Sequence, residues 1–341
     1  MNAVEKPWVS FCMSTYKRPQ FLHSQICSLL QQKLRNFEIV ISDNDPEASG
    51  KAVAESFNDS RIQYQSNKEN LGMIKSFDKS LQKSKGEYIV MITDDDPVYP
   101  DMASTLFYLT EKYPGYGMYM GGCDWFCTDA KIAKLYKLKI GTNSCLSNQY
   151  DLNHVQIYSA EEFILQFFSF KLFSHYLWST CLVRRSIIIE KGGIPDYGTP
   201  FLGDYAYLPI MASHSGCVVI NKALGCQTIH SENFGRNQNE QIITAAKNYP
   251  IYVGNKLAHL DSWPIIEKAM LNFRELWVLD HLSFLQKYFK TKEDDKNFHR
   301  IEKEIFKINF MKKHRFKYFL KKNTPFLHDQ IVSLKKKLSN L

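Results

Sequence analysis

Tyr88-Ile89-Val90-Met91-Ile92-Thr93-Asp94-Asp95-Asp96 joins a run of strand-forming apolar residues directly to three consecutive carboxylates. A short unbroken run of this kind reads as a strand buried on both faces. Three adjacent carboxylates repel one another, so the segment that follows is either a solvated loop or a place where a hard cation is held by oxygen ligands. Its position at the carboxyl end of a strand favours the cation, because ligands of open α/β sheets bind outside those ends.

The pattern repeats upstream. Trp8 to Met13 reads as a strand that ends in Ser14-Thr15-Tyr16-Lys17-Arg18-Pro19, and Phe37 to Ile41 as a strand that ends in Ser42-Asp43-Asn44-Asp45-Pro46. Phe21 to Leu30, Ala52 to Phe57 and Met73 to Leu81 carry apolar residues at helical spacing, and Ile62 to Gln65 reads as an edge strand. Strands alternating with helices predict βα units and a mainly parallel sheet, with the three polar loops converging on one crevice. Asp and Asn are common in turns for conformational reasons alone, so neither upstream loop is specific by itself. Together they supply hydrogen-bond acceptors for a base or ribose, a tyrosine face for stacking, and the cations Lys17 and Arg18 for phosphate. Neither G-x-G-x-x-G nor G-x-x-x-x-G-K-[ST] occurs, which argues against a dinucleotide-binding Rossmann domain and a P-loop NTPase.

From about Gly115 to Gly225 the chain is richer in glycine, proline and aromatics, and further strands and helices are expected to complete one mixed sheet. Tyr116, Tyr119, Trp125, Phe126, Tyr176 and Trp178 serve either core packing or stacking on acceptor sugars. Leu257 to Leu285 reads as a helix. Asn297 to Lys322 reads as a basic amphipathic helix with Ile301, Ile305, Ile308 and Met311 on one side, and a further helix is expected from His328 to Leu341.

Taken together, Val9 to Arg18, Phe37 to Asn44, Asn70-Leu71-Gly72, Lys85 to Ile89, Thr93 to Asp96 and Pro100-Asp101 resemble, in order and spacing, a family 2 glycosyltransferase with the GT-A fold. The resemblance is strong over residues 8 to 101, weaker to about 235, and absent beyond. It implies a Rossmann-like, mixed and mainly parallel sheet flanked by helices, to which the residue pattern adds a C-terminal basic helical extension. It implies a catalytic domain over 1–235 (nucleotide-sugar half about 1–101, acceptor half about 102–235); beyond it, periodicity and charge predict a helical extension over 236–290 and a basic tail over 291–341. It implies nucleotide-sugar contacts from Ser14, Thr15, Tyr16, Arg18, Asp43, Asn70, Lys75 and Asp94. A Mn²⁺ or Mg²⁺ ion is implied, held chiefly by Asp95 with Asp96 and His230 as further candidates, although Thr93 stands where the family often places the first carboxylate. The general base implied is Asp204, in Thr199-Pro200-Phe201-Leu202-Gly203-Asp204-Tyr205, where Gly203 replaces the family's usual Glu; otherwise Asp204 caps a helix running from Tyr205 to Ala212. The reaction implied is sugar transfer with inversion in a single displacement, from a nucleotide sugar to an oligosaccharide or lipid-linked glycan, as in O-antigen or capsule synthesis.

Charge is unevenly distributed. Of the net +8, Lys287 to Leu341 contributes 16 Lys and Arg against 6 Asp and Glu, so the preceding body is slightly acidic. With Phe310, Phe316, Tyr318 and Phe319 beside the lysines, the tail is expected on an anionic membrane surface rather than on nucleic acid, or else packed on the body. No apolar run approaches the roughly 18 residues of a membrane span. The N-terminus lacks a secretory pattern, so the expected location is cytoplasmic, peripheral on the inner face of the cell membrane. Eight cysteines without a C-x-x-C pair read as reduced and structural, and the spacing of Cys123 and Cys127 does not make a zinc site. The competing readings are a GT-A-fold binding protein without catalysis and a nucleotidyltransferase. Asp204 and His230 discriminate, because neither alternative needs an acceptor base.

Overall fold

The computed structural model describes residues 6–136, 138–141, 143–144, 153–172, 176–233, 238–288, 292–316 and 318–319. The first half is a succession of βα units: β1 (Val9–Thr15), α1 (Pro19–Leu30), β2 (Phe37–Asp43), α2 (Lys51–Ser56), β3 (Ile62–Ser66), α3 (Met73–Lys83) and β4 (Tyr88–Thr93). α4 (Met102–Lys112), β5 (Met118–Cys127), α5 (Ala130–Tyr136), β6 (Asn143–Ser144), β7 (Val155–Tyr158), α6 (Ala160–Phe168), β8 (Cys181–Arg184), α7 (Arg185–Lys191), α8 (Gly203–Ala212) and β9 (Cys217–Ile229) follow. Eight strands form one sheet in the order β3-β2-β1-β4-β8-β5-β9-β7, and β6 pairs with β5. β1 runs parallel to both β2 and β4, β2 parallel to β3, and β5 parallel to β9, while β8 inserts antiparallel between β4 and β5.

Strand alternation divides the core into two layers. Ile89 and Met91 of β4, with Cys12 of β1, face the layer that contains Phe163, Tyr207 and Phe273. Val90 and Ile92, with Phe11 and Met13, face the layer built on Leu22, Ile26 and Leu106. Close packing behind β4 requires a glycine: a Cβ on Gly86 would lie 2.6 Å from the Ser10 backbone nitrogen. The described cysteines are free thiols, and all but Cys27 are buried. Cys145 lies outside the described residues.

The C-terminal part departs from the sequence expectation in two places. Where one helix is expected over Leu257–Leu285, the chain forms α9 (Gln241–Leu257) and α10 (Trp263–Tyr288). Pro264 suits a helix start and not an interior, and the Glu161 carboxylate accepts from the backbone nitrogens of Asp261 (3.1 Å) and Ser262 (3.0 Å), which fixes the turn between them. α11 (Lys292–Lys307) begins before the expected Asn297 and stops early, giving way to a 3₁₀ turn over Asn309–His314. Tertiary contacts redirect the chain there: the Arg274 guanidinium lies 3.3 Å from the Phe310 ring centroid, and Glu275 pairs with Lys313 at 2.9 Å and His314 at 2.6 Å. The apolar stripe of α11 is spent on the body, since Phe298, Ile301 and Ile305 are buried with Val278 and Leu282 of α10. Phe316 (72%) and Phe319 (59%) remain exposed beyond it. The helix expected over His328–Leu341 lies outside the described residues. Among the described residues no helix is long and apolar enough to cross a membrane.

Candidate active site

The parallel register brings the three polar loops together: Thr15 lies opposite Asp43, and Ser14 opposite Thr93. Side chains then knit the strand ends to one another. The Ser14 hydroxyl donates to Ser76 Oγ (2.8 Å), Ser76 Oγ lies 3.0 Å from Ser42 Oγ, and Asn67 Nδ2 donates to the latter (3.0 Å). Asn44 Nδ2 donates to Asn70 Oδ1 (2.7 Å), while Asn44 Oδ1 accepts from the Leu71 nitrogen (2.9 Å), so the Asn70-Leu71-Gly72 segment is tied to the second loop. Lys75 stands exposed in the first turn of α3, and Tyr16 leaves 42% of its surface open at the crevice edge.

Asp43 does not reach the crevice. It is fully buried: Oδ1 accepts from the Asp45 nitrogen (3.0 Å), and Oδ2 from the Gly50 nitrogen (2.8 Å) and the Tyr64 hydroxyl (2.6 Å). In this arrangement its carboxylate shapes the loop.

The three carboxylates after β4 have three different environments. Asp94 accepts from the Thr15 hydroxyl at 2.7 Å and from Arg18 Nη2. Burial, and next the charge of Asp95, raise its pKa against the pull of Arg18. Asp95 Oδ2 faces Arg18 Nη1 at 2.8 Å and His230 Nε2 at 3.1 Å. Burial works to raise Asp95, but the hydrogen bond from His230 and the Arg18 charge hold it below the ordinary carboxylate range. Asp96 turns the other way. Its Oδ1 accepts from the Thr228 nitrogen of β9 (2.9 Å) and its Oδ2 from the Thr93 hydroxyl (2.9 Å), and burial pushes its pKa well up. With both oxygens so engaged, Asp96 ties β4 to β9.

His230 follows the end of β9. The Glu232 nitrogen donates to Nδ1 (3.2 Å), which leaves the ring proton on Nε2, directed at Asp95. Ligation of a metal through Nε2 therefore requires the proton to move to Nδ1 and the Glu232 bond to open. Phe21 stacks on the imidazole, with centroids 4.8 Å apart, and also lies 5.4 Å from the Arg18 guanidinium. Among the described residues no group of three or more His, Cys, Asp and Glu side chains is gathered to hold a metal unaided. The oxygen of Asp95 and the nitrogen of His230 are donors suited to Mn²⁺ or Mg²⁺, and the Asp94/Asp95 pair already holds a positive group, so the site fits a divalent cation whose remaining ligands come from a diphosphate and water.

Asp204 lies in the first turn of α8, after Leu202 in left-handed backbone (φ 64°). Its Oδ1 accepts from the Trp178 nitrogen (2.9 Å), and burial raises its pKa from 3.8 to about 6. Its charge adds, after burial and the Asp95 charge, to the rise of the Asp96 pKa, so the two carboxyls lie within electrostatic reach of each other. Of the aromatics weighed for acceptor stacking, Tyr119, Tyr176 and Trp178 are buried in the core.

Two contributors were not singled out from sequence. Gln25 Nε2 donates to the carbonyls of Thr93 (3.0 Å) and Asp96 (2.9 Å), holding the acidic loop from α1; a polar residue in the stripe of Leu22, Ile26 and Leu29 was its signal. Phe170 adopts φ 55°, is 59% exposed, and stacks on Phe273 (4.9 Å), which in turn contacts Tyr205 (5.1 Å) beside Asp204. A left-handed Phe with an exposed ring carried no local sequence signal.

The fold is that of the GT-A glycosyltransferases. Solved structures that resemble it include S. aureus TarS 1–349 in complex with UDP-GlcNAc (TM-score 0.59, 13% identity, 87% of each chain covered). Another is the mannosyltransferase PcManGT from Pyrobaculum calidifontis in complex with GDP-Man and Mn²⁺ (TM-score 0.51, 13% identity, covering 95% of this chain and 89% of that one). Residues 10–190 match the model of glycosyl transferase family 2, and the chain belongs to that family. Curated relatives include an uncharacterized glycosyltransferase of Methanocaldococcus jannaschii, 30% identical over 33% of this chain and 40% of that protein. An uncharacterized glycosyltransferase of Rickettsia typhi is 24% identical over 58% of this chain, so the chain spans 40% and 57% of these two relatives' lengths. The GalNAc(5)-diNAcBac-PP-undecaprenol beta-1,3-glucosyltransferase of Campylobacter jejuni is 23% identical over 73% of this chain and 72% of its own.

Proposed function

We propose that this chain is an inverting, metal-dependent glycosyltransferase that moves a sugar from a nucleotide-sugar donor to a glycan acceptor, and that the acceptor is lipid-linked. The observation that carries the reading is the convergence of the first polar loop and His230 on an acidic loop at the carboxyl end of β4, together with a second carboxyl, Asp204, of raised pKa and within electrostatic reach of that loop. Ser14, Thr15, Tyr16, Asn70 and Lys75 line the nucleotide side, with Arg18 available to phosphate. Asp43 supports them from behind. Asp95, with His230 after the tautomer change, would hold a divalent cation, which would supply positive charge where the leaving diphosphate develops negative charge.

Asp204 is the general base. Its pKa near 6 keeps it ionised at neutral pH, yet basic enough to draw a proton from the acceptor hydroxyl as that oxygen attacks the anomeric carbon. The bond to the nucleotide breaks on the opposite face, so configuration inverts. Gln25 and Thr15 hold the carboxylates of the loop in place, and Phe170 with Tyr205 offers an apolar wall to the acceptor.

The lipid-linked acceptor is supported by the name of the Campylobacter relative, which carries an undecaprenol diphosphate, and a UDP- or GDP-linked donor by the nucleotides bound in TarS and PcManGT. Surface-polysaccharide synthesis agrees with the E. coli relative described as a putative colanic acid biosynthesis glycosyl transferase. Peripheral attachment to the inner face of the membrane rests on exposed Phe316 and Phe319 beside Lys312, Lys313 and Arg315. The test is donor and acceptor turnover by purified protein with Mn²⁺ or Mg²⁺. Asp204→Asn should keep metal-dependent nucleotide binding and lose transfer, whereas full transfer by this variant would remove the assignment of the base.

A further inference from the structure

We propose that Arg18 is an internal counter-cation which occupies the acidic loop in the donor-free protein and must leave before a divalent cation can enter. The inference rests on the metal-and-diphosphate reading above and deepens it. Its basis is the sharing of acceptor atoms. Both oxygens of Asp94 are engaged, with Arg18 Nη2 on Oδ1 and the Thr15 hydroxyl on Oδ2. Oδ2 of Asp95 carries two donors at once, Arg18 Nη1 at 2.8 Å and His230 Nε2 at 3.1 Å. A cation approaching that oxygen meets a guanidinium already there, and like charges at such range repel strongly in a partly desolvated pocket.

The backbone explains why the arginine is poised rather than merely nearby. Lys17 is in left-handed conformation (φ 54°), and Arg18 caps α1 immediately before Pro19, whose ring restricts the residue preceding it. The main chain is thus stiff on both sides of Arg18, and only its side chain is free to turn. That side chain keeps 24% of its surface exposed and rests over Phe21, so it has a way out toward solvent and an apolar base to turn on. Burial works against the guanidinium charge, but Asp94 and Asp95 more than compensate and hold it protonated.

A diphosphate supplies what releases it. Guanidinium pairs with phosphate as readily as with carboxylate, in the same forked geometry. When the donor arrives, Arg18 exchanges the two aspartates for phosphate oxygens, and the freed Oδ2 of Asp95 accepts the metal. Metal and nucleotide therefore bind cooperatively, and free divalent cation is kept out of a site it would otherwise occupy unproductively.

Mn²⁺ binding to the full chain, read from the electron paramagnetic resonance signal of the free ion with and without UDP or GDP, tests this directly. Wild type should bind Mn²⁺ weakly alone and roughly ten- to hundredfold tighter with the matching nucleotide. Arg18→Met should bind Mn²⁺ alone about tenfold tighter than wild type, with the gain from nucleotide cut to about threefold or less. Arg18→Lys, which keeps the charge, should stay near wild type and serves if the methionine variant does not fold. Equal Mn²⁺ affinity of nucleotide-free wild type and Arg18→Met overturns the proposal, as does nucleotide-free wild type binding Mn²⁺ as tightly as its nucleotide complex. Asp95→Asn separates the two layers of inference: loss of Mn²⁺ binding in every state supports the metal site whatever Arg18 does, and Mn²⁺ binding that survives this change removes the metal site itself.

Discussion

Asp204→Asn should make the protein more stable at neutral pH while removing its activity. The wild-type carboxylate is raised from 3.8 to about 6 by burial, with one backbone hydrogen bond from Trp178 as partial compensation. That rise corresponds to about 3 kcal/mol of destabilisation wherever the group is ionised in both folded and unfolded chains. Because the carboxylate keeps partial access to the crevice, the figure is a ceiling. The amide retains an oxygen for the Trp178 nitrogen, although a hydrogen bond to a neutral acceptor is weaker, by about 1 kcal/mol. A net gain of about 2 kcal/mol follows, worth several degrees of melting temperature at about 2 °C per kcal/mol. The pH dependence gives the sign. A carboxyl whose folded pKa is raised binds its proton more tightly in the folded state, so its penalty is absent below pH 3.8 and grows to full size as pH rises through about 6. Melting wild type and variant side by side at pH 7.5 and pH 4.5 should therefore show a gap that narrows toward acid. Transfer, assayed with donor and acceptor at pH 7.5, should fall about 10²- to 10⁴-fold. A variant no more stable than wild type at pH 7.5, or a gap independent of pH, would refute the desolvated-base argument even if activity were lost.

The same carboxyl predicts that kcat/KM for wild type falls as pH drops through about 6, a limb that pH–rate measurements should find and that should be missing from the residual rate of Asp204→Asn. Asp96→Ala should cost about 2–4 kcal/mol in chemical denaturation by stranding the Thr228 nitrogen and Thr93 hydroxyl, yet leave Mn²⁺ affinity of the folded protein unchanged; a loss of affinity without a loss of stability would return Asp96 to the metal. Ile305→Ala, at a fully buried contact of α11, should destabilise by about 2–4 kcal/mol and speed amide exchange across Lys292–Lys307, without altering turnover of a soluble acceptor analogue. Gly86→Ala should lower soluble yield and melting temperature, since its Cβ meets backbone that cannot yield; unchanged stability would show that β1 and β4 are less tightly joined there than their spacing requires.

How much of this was legible in the sequence depends on the range of the interaction involved. The strand Tyr88–Thr93 and the helices beginning near Phe21 and Met73 are written in local periodicity, and their structural bounds differ from the expected ones by a few residues at most. The convergence of three loops was legible too, because alternation of strands and helices dictates a parallel sheet and a parallel sheet dictates one loaded edge. α9 and the break before α10 were not, although Pro264 marks the boundary, because the turn there is held by Glu161, about a hundred residues earlier. The early end of α11 has the same cause: Arg274 and Glu275 capture Phe310, Lys313 and His314 across the fold. A stripe of isoleucines between lysines reads equally as a membrane-facing helix or a docked one, and only the buried partners on α10 decide for docking of its apolar face.

The acidic run itself shows why motif reading stops where it does. Asp94, Asp95 and Asp96 are chemically identical and adjacent, so nothing local distinguishes them. What separates their roles is the partner each meets: Thr15 and Arg18 from the first loop for Asp94, Arg18 and His230 for Asp95, and the backbone of Thr228 for Asp96. Strand direction largely determines the outcome. β9 runs beside β5 and not beside β4, so its terminal residues reach the acidic loop from across the crevice, delivering a backbone donor to one carboxylate and an imidazole to its neighbour. Three like charges are tolerated in one turn because each is answered separately: one by a shared arginine, one by that arginine and a histidine, and one by two uncharged donors, with burial and the Asp95 charge favouring its protonated form. Asp94 shares with Asp95 the arginine that can swing away, and Asp95 alone of the three also meets an imidazole that can move its proton. That difference in exchangeability, rather than position in the D-D-D sequence, is the physical ground on which the proposal places a cation at Asp95.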